Sequence, residues 1–205
     1  MVEEKMPRGF TEQEKININT RLITAGKDSF GLFGIRKTTV EDLAKKAGIS
    51  KGAFYQFYPS KEDLYFAVLR HYETEQHKAM FILLSQNQQN DRELLKSVIK
   101  AIMDQVDSDP FIRRLLGKEE FDYLWQKFTP EQLENAMEAD IDFASQLVEI
   151  WRKKGKLKVE NPKLISGVFR AIFFLFLHKE DIGEESFPAV VDLLLESSIE
   201  KLIEE

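Results

Sequence analysis

At 205 residues the chain is long enough for one large domain or a small one joined to a medium one, and 43% hydrophobic with 31% charged residues is ordinary for a soluble globular protein. It contains no cysteine, which excludes disulfides and thiolate metal sites. The net charge of −6 divides unevenly: residues 1–60 carry ten Lys/Arg against seven Asp/Glu, and residues 61–205 carry nineteen against twenty-eight. An acidic whole therefore does not exclude a basic, nucleic-acid-facing first segment.

In chain order, MVEEKMPRGFTEQEK has no apolar core and does not read as a signal peptide, so a cytoplasmic protein is expected. Thr11 and Glu14 have the spacing of a capping box and predict a helix over about 11–32. Thr38 and Glu41 repeat that spacing. Val40, Leu43, Ala44 and Ala47 then form one apolar helical face. Gly48 is suited to the left-handed conformation that ends a helix, and Ser50 is a good N-cap for the next. Phe54 and Phe57 supply the buried side of that second helix, and small Ala44 lets the two approach closely. So short a turn forces a steep crossing, and a helix-turn-helix of this kind presents the start of its second helix to the DNA major groove.

A further helix starts at Ser60, with Glu62 and Asp63 in its first turn, and runs to about 85. The polar stretch 85–91 is a loop, and a helix spans about 91–107. Ser108, Asp109 and Pro110 break it, with Pro110 placed to open the next one. Gly117 and the pair Thr129 and Pro130 mark boundaries before a long helix over 130–154, which ends at Gly155. Asn161 and Pro162 open another helix, and Gly183 separates it from the last, at about 186–203. The most apolar run, 164–177, is too short to span a membrane and contains Arg170. No alternating strand pattern and no repeat is visible. The pattern predicts an all-α protein of about nine helices, with a helix-turn-helix domain over 1–60 and a larger helical domain over 61–205.

The residues from Thr11 to about 66 resemble the DNA-binding signature of the TetR-type transcriptional repressors. Leu22, Ala25, Phe30 and Gly34 stand where that family has an I..A....F...G pattern, and TTVEDLAKKAGISKGAFY and PSKEDL follow at its spacing. Three positions depart from it. Gly26 replaces the usual Ala, which weakens the first helix; Ala53 replaces a Thr or Ser, removing one polar contact; Tyr58 replaces Phe. The resemblance implies a DNA reader followed by an effector-binding and dimerisation domain.

On the second helix of the motif, with Phe54 and Phe57 inward, Lys51, Gly52, Tyr55 and Gln56 are left outward. Gln56 has the chemistry to read an adenine edge with two hydrogen bonds. Gly52 removes a side chain where the helix nears the groove. By resemblance, Tyr55 contacts phosphate and base edges, Lys61 binds phosphate, and Thr39 contacts phosphate, with Arg36 and Lys37 just before it. The competing reading makes Lys51 and Lys61 solvated charges and Tyr55 a core aromatic.

One such reader is small, and specific binding to a palindromic operator in double-stranded DNA uses two, spaced roughly 34–36 Å apart, so a homodimer is expected. Ile165, Phe169, Ile172, Phe173 and Phe176, with Val190, Leu193, Leu194 and Leu202, are candidates for a four-helix dimer interface or for intrachain core. The middle of the chain is rich in aromatics and methionine. Met103, Phe111, Trp125 and Phe143 are the candidate lining of a small-molecule pocket. Nearby Glu120, Asp122 and Asp142 would suit a cation, and the phenylalanine-rich composition would equally suit an acyl chain.

No catalytic or metal-binding motif and no cofactor is expected: there is no phosphate loop, G-x-S-x-G, dinucleotide fingerprint or H-E-x-x-H, and His71, His77 and His178 have no cysteine partners. The function expected is a DNA-binding repressor released by a small apolar or amphipathic effector. The alternative is a helical ligand-binding or protein-interaction module that has lost DNA binding.

Overall fold

The computed structural model describes residues 9–86, 92, 93, 96 and 108–204. Among these are ten helices: α1 (Glu12–Lys37), α2 (Val40–Ala47), α3 (Lys51–Phe54), α4 (Lys61–Gln86), α5 (Pro110–Leu115), α6 (Lys118–Trp125), α7 (Pro130–Lys153), α8 (Pro162–Leu177), α9 (Lys179–Ile182) and α10 (Phe187–Leu202). The fold is all-α, as the periodicity predicts. Most of the helix expected over 91–107 lies outside the described residues. The chain divides into two compact units, one ending at Val68 and the other beginning at Leu69, eight residues into α4.

In the first unit, local chemistry sets most helix ends. Thr11 and Glu14 close the expected capping box, with Glu14 N–H donating to Thr11 Oγ1 at 3.3 Å and Thr11 N–H to the Glu14 carboxylate at 2.7 Å. Thr38 and Glu41 do not close the second one. The N-cap of α2 is Thr39, whose hydroxyl accepts from Asp42 N–H at 3.1 Å. Thr38 instead ends α1, which runs beyond the expected 32. Its Oγ1 donates to the carbonyls of Gly34 (2.8 Å) and Ser29 (3.3 Å), and its side chain is buried. The reason is Gly34, whose φ of 75° breaks the helical run and sets the position where the chain must be tied off. Gly48, at φ 70° and ψ 35°, terminates α2, and Ser50 caps α3 by accepting from Ala53 N–H at 3.1 Å.

Leu22, Phe30, Ile35, Leu43, Ala47, Phe54, Leu64 and Tyr65 are fully buried in this unit. Leu64, Tyr65 and Val68 belong to its core, which is why the unit extends past the boundary expected at 60 into the first two turns of α4. At Gly26, α1 lies close against α4. A Cβ there would stand 2.9 Å from Val68 Cγ2, 3.2 Å from the Phe30 ring and 3.4 Å from Leu64 Cδ2. The departure from Ala is thus paired with a bulky, β-branched neighbour.

The second unit is built around Trp151 of α7. Met80 and Leu84 of α4, Leu147 and Val148 of α7, Ile165 of α8, and Val191, Leu195 and Ile199 of α10 form one buried cluster with it. A short antiparallel bridge between Leu157 and Ile203 fastens the chain after α7 to the end of α10, and Lys158 N–H donates to Leu202 O at 3.0 Å. Ile165 and Leu202, expected at a dimer interface, are buried within this core and are not available to a second chain. Phe169, Ile172 and Phe176 pack partly against the same cluster. An apolar stripe read from sequence does not say which of its flanks meets the chain's own core.

Gly26→Ala should destabilise the first unit. The helix-propensity gain of about 1 kcal/mol is opposed by a contact that Val68 cannot relieve by changing rotamer, and overpacking costs about 1–3 kcal/mol. Urea titration should show a lower midpoint, and Gly26→Ala combined with Val68→Ala should recover part of the loss.

Candidate nucleic-acid interface

The turn between α2 and α3 presents a compact polar face. Lys51, Gly52, Tyr55 and Gln56 are exposed, Phe54 is buried, and Phe57 is half-buried against Phe10 with ring centroids 6.0 Å apart. Tyr55 is the C-cap of α3. Its ring stands edge-on to Phe54 at 5.6 Å and 87°, yet it remains 51% exposed. A core neighbour therefore holds the ring while leaving much of it to solvent. At Gly52 a Cβ would meet only Ser50 Oγ, at 3.9 Å, so packing within the chain does not demand glycine there.

Arg36 and Lys37 are exposed in the last turn of α1. Thr39 is exposed, but its hydroxyl caps α2 and donates to Asp42 Oδ2 at 2.6 Å. Lys61 differs most from its expected role as a phosphate contact. Its ammonium donates to the carbonyls of Ile35 (2.7 Å), Thr38 (2.9 Å) and Arg36 (3.4 Å). These lie at the C-terminal end of α1, where carbonyls have no intrahelical partners and the helix dipole is negative. In this structure Lys61 ties α4 to the junction of α1 and α2. Tyr58 uses the hydroxyl that Phe would lack to donate to Asn19 Oδ1 of α1 at 2.6 Å, while burial pushes its pKa up. Sequence spacing could not reveal either tie, because both partners are more than twenty residues away.

In the second unit the candidate pocket residues differ in exposure. Phe111 and Phe143 are buried, Trp125 is 50% exposed, and Met103 lies outside the described residues. Phe143 stacks on His77 at 3.9 Å, within a charged layer that sequence reasoning missed. In this layer Arg70 pairs with Glu73, and Arg170 reaches Asp140 at 3.5 Å and Ser166 Oγ at 3.3 Å. Desolvation pushes the Glu73 carboxyl up to about 7 despite Arg70, with Asp140 adding to the rise. Burial lowers the pKa of His77, and the negative charge of Asp140 opposes that shift. Among the described residues no group of His, Cys, Asp and Glu could hold a metal ion, and no helix is long and apolar enough to cross a membrane.

Residues 22–68 match the family described as bacterial regulatory proteins, tetR family, and this span covers the helix-turn-helix and its support from α1 and α4. Residues 22–68 are thus a tetR-family segment. Its reader is 45% identical over 49 residues to the HTH-type transcriptional regulator RutR of Escherichia coli strain K12, covering 24% of this chain and 23% of that protein. It is 29% identical over 83 residues to the nucleoid occlusion factor SlmA of Glaesserella parasuis serovar 5, covering 40% of each. The matched segment thus spans about two fifths or less of these curated relatives. The likeness in fold extends further: a TetR-family transcriptional regulator from Pectobacterium atrosepticum superposes with a TM-score of 0.72 over 96% of this chain and 99% of that one, at 20% identity. The fold is therefore shared over nearly the whole chain at low sequence identity.

Two outcomes follow from this geometry. Lys61→Met should lower the stability of the first unit by about 1–2 kcal/mol, because it strands carbonyls at the end of α1, and chemical denaturation would measure this. For Glu73, a folded pKa of about 7 against an unfolded value near 4.5 means that the folded state binds the extra proton. Stability should rise as pH falls through 7, and Glu73→Gln should flatten that slope. The lowered pKa of His77 acts in the opposite direction as pH falls through its unfolded value of about 6.5, so the difference between the Glu73→Gln protein and the parent, which both keep His77, isolates Glu73.

Proposed function

We propose that this protein is a homodimeric DNA-binding transcriptional repressor that leaves its operator when a small apolar or amphipathic effector binds the second unit. The observation that carries the DNA reading is the exposed face of Lys51, Gly52, Tyr55 and Gln56, positioned by the buried Phe54 and the Gly48 turn. Glycine inside a helix costs about 1 kcal/mol relative to alanine, and nothing in the chain requires it at 52. A close approach by a DNA backbone accounts for it. Gln56 supplies a donor and an acceptor for a base edge, and Lys51, Lys37 and Arg36 supply charge for phosphates.

Pairing of two readers is supported by the apolar surface that the second unit leaves in water. On α10, Leu193 is 65% and Leu194 42% exposed, with Val190 half-buried beside them; on α8, Leu164 and Phe173 are exposed. Small Gly167 and Ala171 lie on the exposed side of α8 and permit close helix contact. Burying these faces against a second copy removes the cost of hydrating them, about 25 cal/mol for each Å². An effector that favours one separation of the two readers would shift operator affinity by the difference in its affinity for the bound and released forms.

A mobility-shift assay on the DNA upstream of the protein's own gene should show retardation that weakens steeply with rising salt. Tyr55→Ala and Gln56→Ala should each reduce affinity about tenfold with the fold intact, since a good base contact contributes about 1–3 kcal/mol. If both leave affinity unchanged, the DNA assignment of this face is wrong. Leu193→Asp should convert a dimer into a monomer in sedimentation at micromolar concentration. A protein that is already monomeric there defeats the paired-reader proposal.

A further inference from the structure

An open cleft of about 400 Å³ lies on the second unit, apart from its buried core. One wall is a single face of α6 and its C-cap Gln126, on which Lys118, Phe121, Asp122 and Trp125 recur at helical spacing. The other is the end of α8, from Phe174 through Leu177 to His178. Phe121 and Trp125 are nearly parallel, with centroids 5.5 Å apart and an interplanar angle of 22°, and Phe174 meets Phe121 edge-on at 6.2 Å and 89°. The rings thus brace one another into a platform that is already assembled. Leu124, not Trp125, is the α6 residue buried in the core.

The charge around this platform is not balanced. Residues 118–127 and 178–185 carry seven carboxylates against three lysines. Another carboxylate beside the cleft already has partners: His178 Nδ1 lies 2.9 Å from Asp181, and Lys118 also acts on Asp181, helping to hold its carboxyl below the usual range. Asp122 is exposed in the cleft and makes no ion pair among the described residues. A π face beside an unanswered carboxylate, within a volume that admits two or three fused rings, selects for a flat molecule bearing positive charge.

We propose that this cleft binds a planar aromatic cation, stacked on Trp125 with its charge facing Asp122. The proposal rests on the cleft alone and stands whether or not such a ligand alters DNA binding. Acridine orange is the cationic probe and anthracene-9-carboxylate the anionic one of similar size and flatness. Each is followed by fluorescence anisotropy with the full-length protein and no DNA. Acridine orange should bind saturably, and anthracene-9-carboxylate should bind at least about tenfold more weakly. Asp122→Asn should weaken acridine orange by about fivefold, and Trp125→Ala by about tenfold. Lys118→Ala should tighten it, a gain that damage to the fold would not produce. Equal binding of the two probes, or an Asp122→Asn protein that binds acridine orange unchanged, would overturn the proposal.

Discussion

The geometry of the reader depends on one buried meeting point, the C-terminal end of α1. The chain must leave that helix, turn at Gly34 and begin α2 within a few residues, and each step leaves carbonyl groups without helical partners. Thr38 accounts for part of the difficulty by bonding Gly34 and Ser29. Lys61 completes it, reaching from the first turn of α4 to the carbonyls of Ile35, Arg36 and Thr38. Because Lys61 lies just beyond the motif, the clamp closes α2 and α3 into a loop held at both ends.

The same unit shows how a local weakness can be a packing requirement. Glycine at 26 lowers the intrinsic helicity of α1, and propensity alone treats it as a defect. In three dimensions it lies against α4, with Val68 in the space a methyl group would need. Tyr58 gives a second case. Its departure from phenylalanine looks mild in sequence but adds a tether to Asn19. The tetR-type pattern is thus preserved with its own set of compensations.

The second unit separates surface by use. Its core around Trp151 takes Ile165 and Leu202, while Leu193 and Leu194 remain in water. Its charged layer, from Arg70 and Glu73 to Asp140 and Arg170, places ionisable groups among apolar neighbours, where their protonation depends on how completely water is excluded. The aromatic cleft on α6 and α8 is a third environment, half open and acidic. One apolar, phenylalanine-rich composition therefore serves packing, association and recognition at different places.

The sequence by itself determined the helical class, most helix ends and the outward face of α3. These are set by residues within one or two turns of each other: Thr11 with Glu14, Gly48, Ser50, and Phe54 against Tyr55 and Gln56. It misplaced the α2 cap by one residue, because Thr38 and Thr39 have equal local claims and only the end of α1 chooses between them. Tertiary structure alone decided that Lys61 clamps carbonyls, that Phe111 and Phe143 are buried while Trp125 is half exposed, and that Ile165 and Leu202 belong to the core. The physical reason is range. Capping and helical periodicity act through the nearest neighbours along the chain, whereas burial and the destination of a long side chain depend on elements tens of residues away.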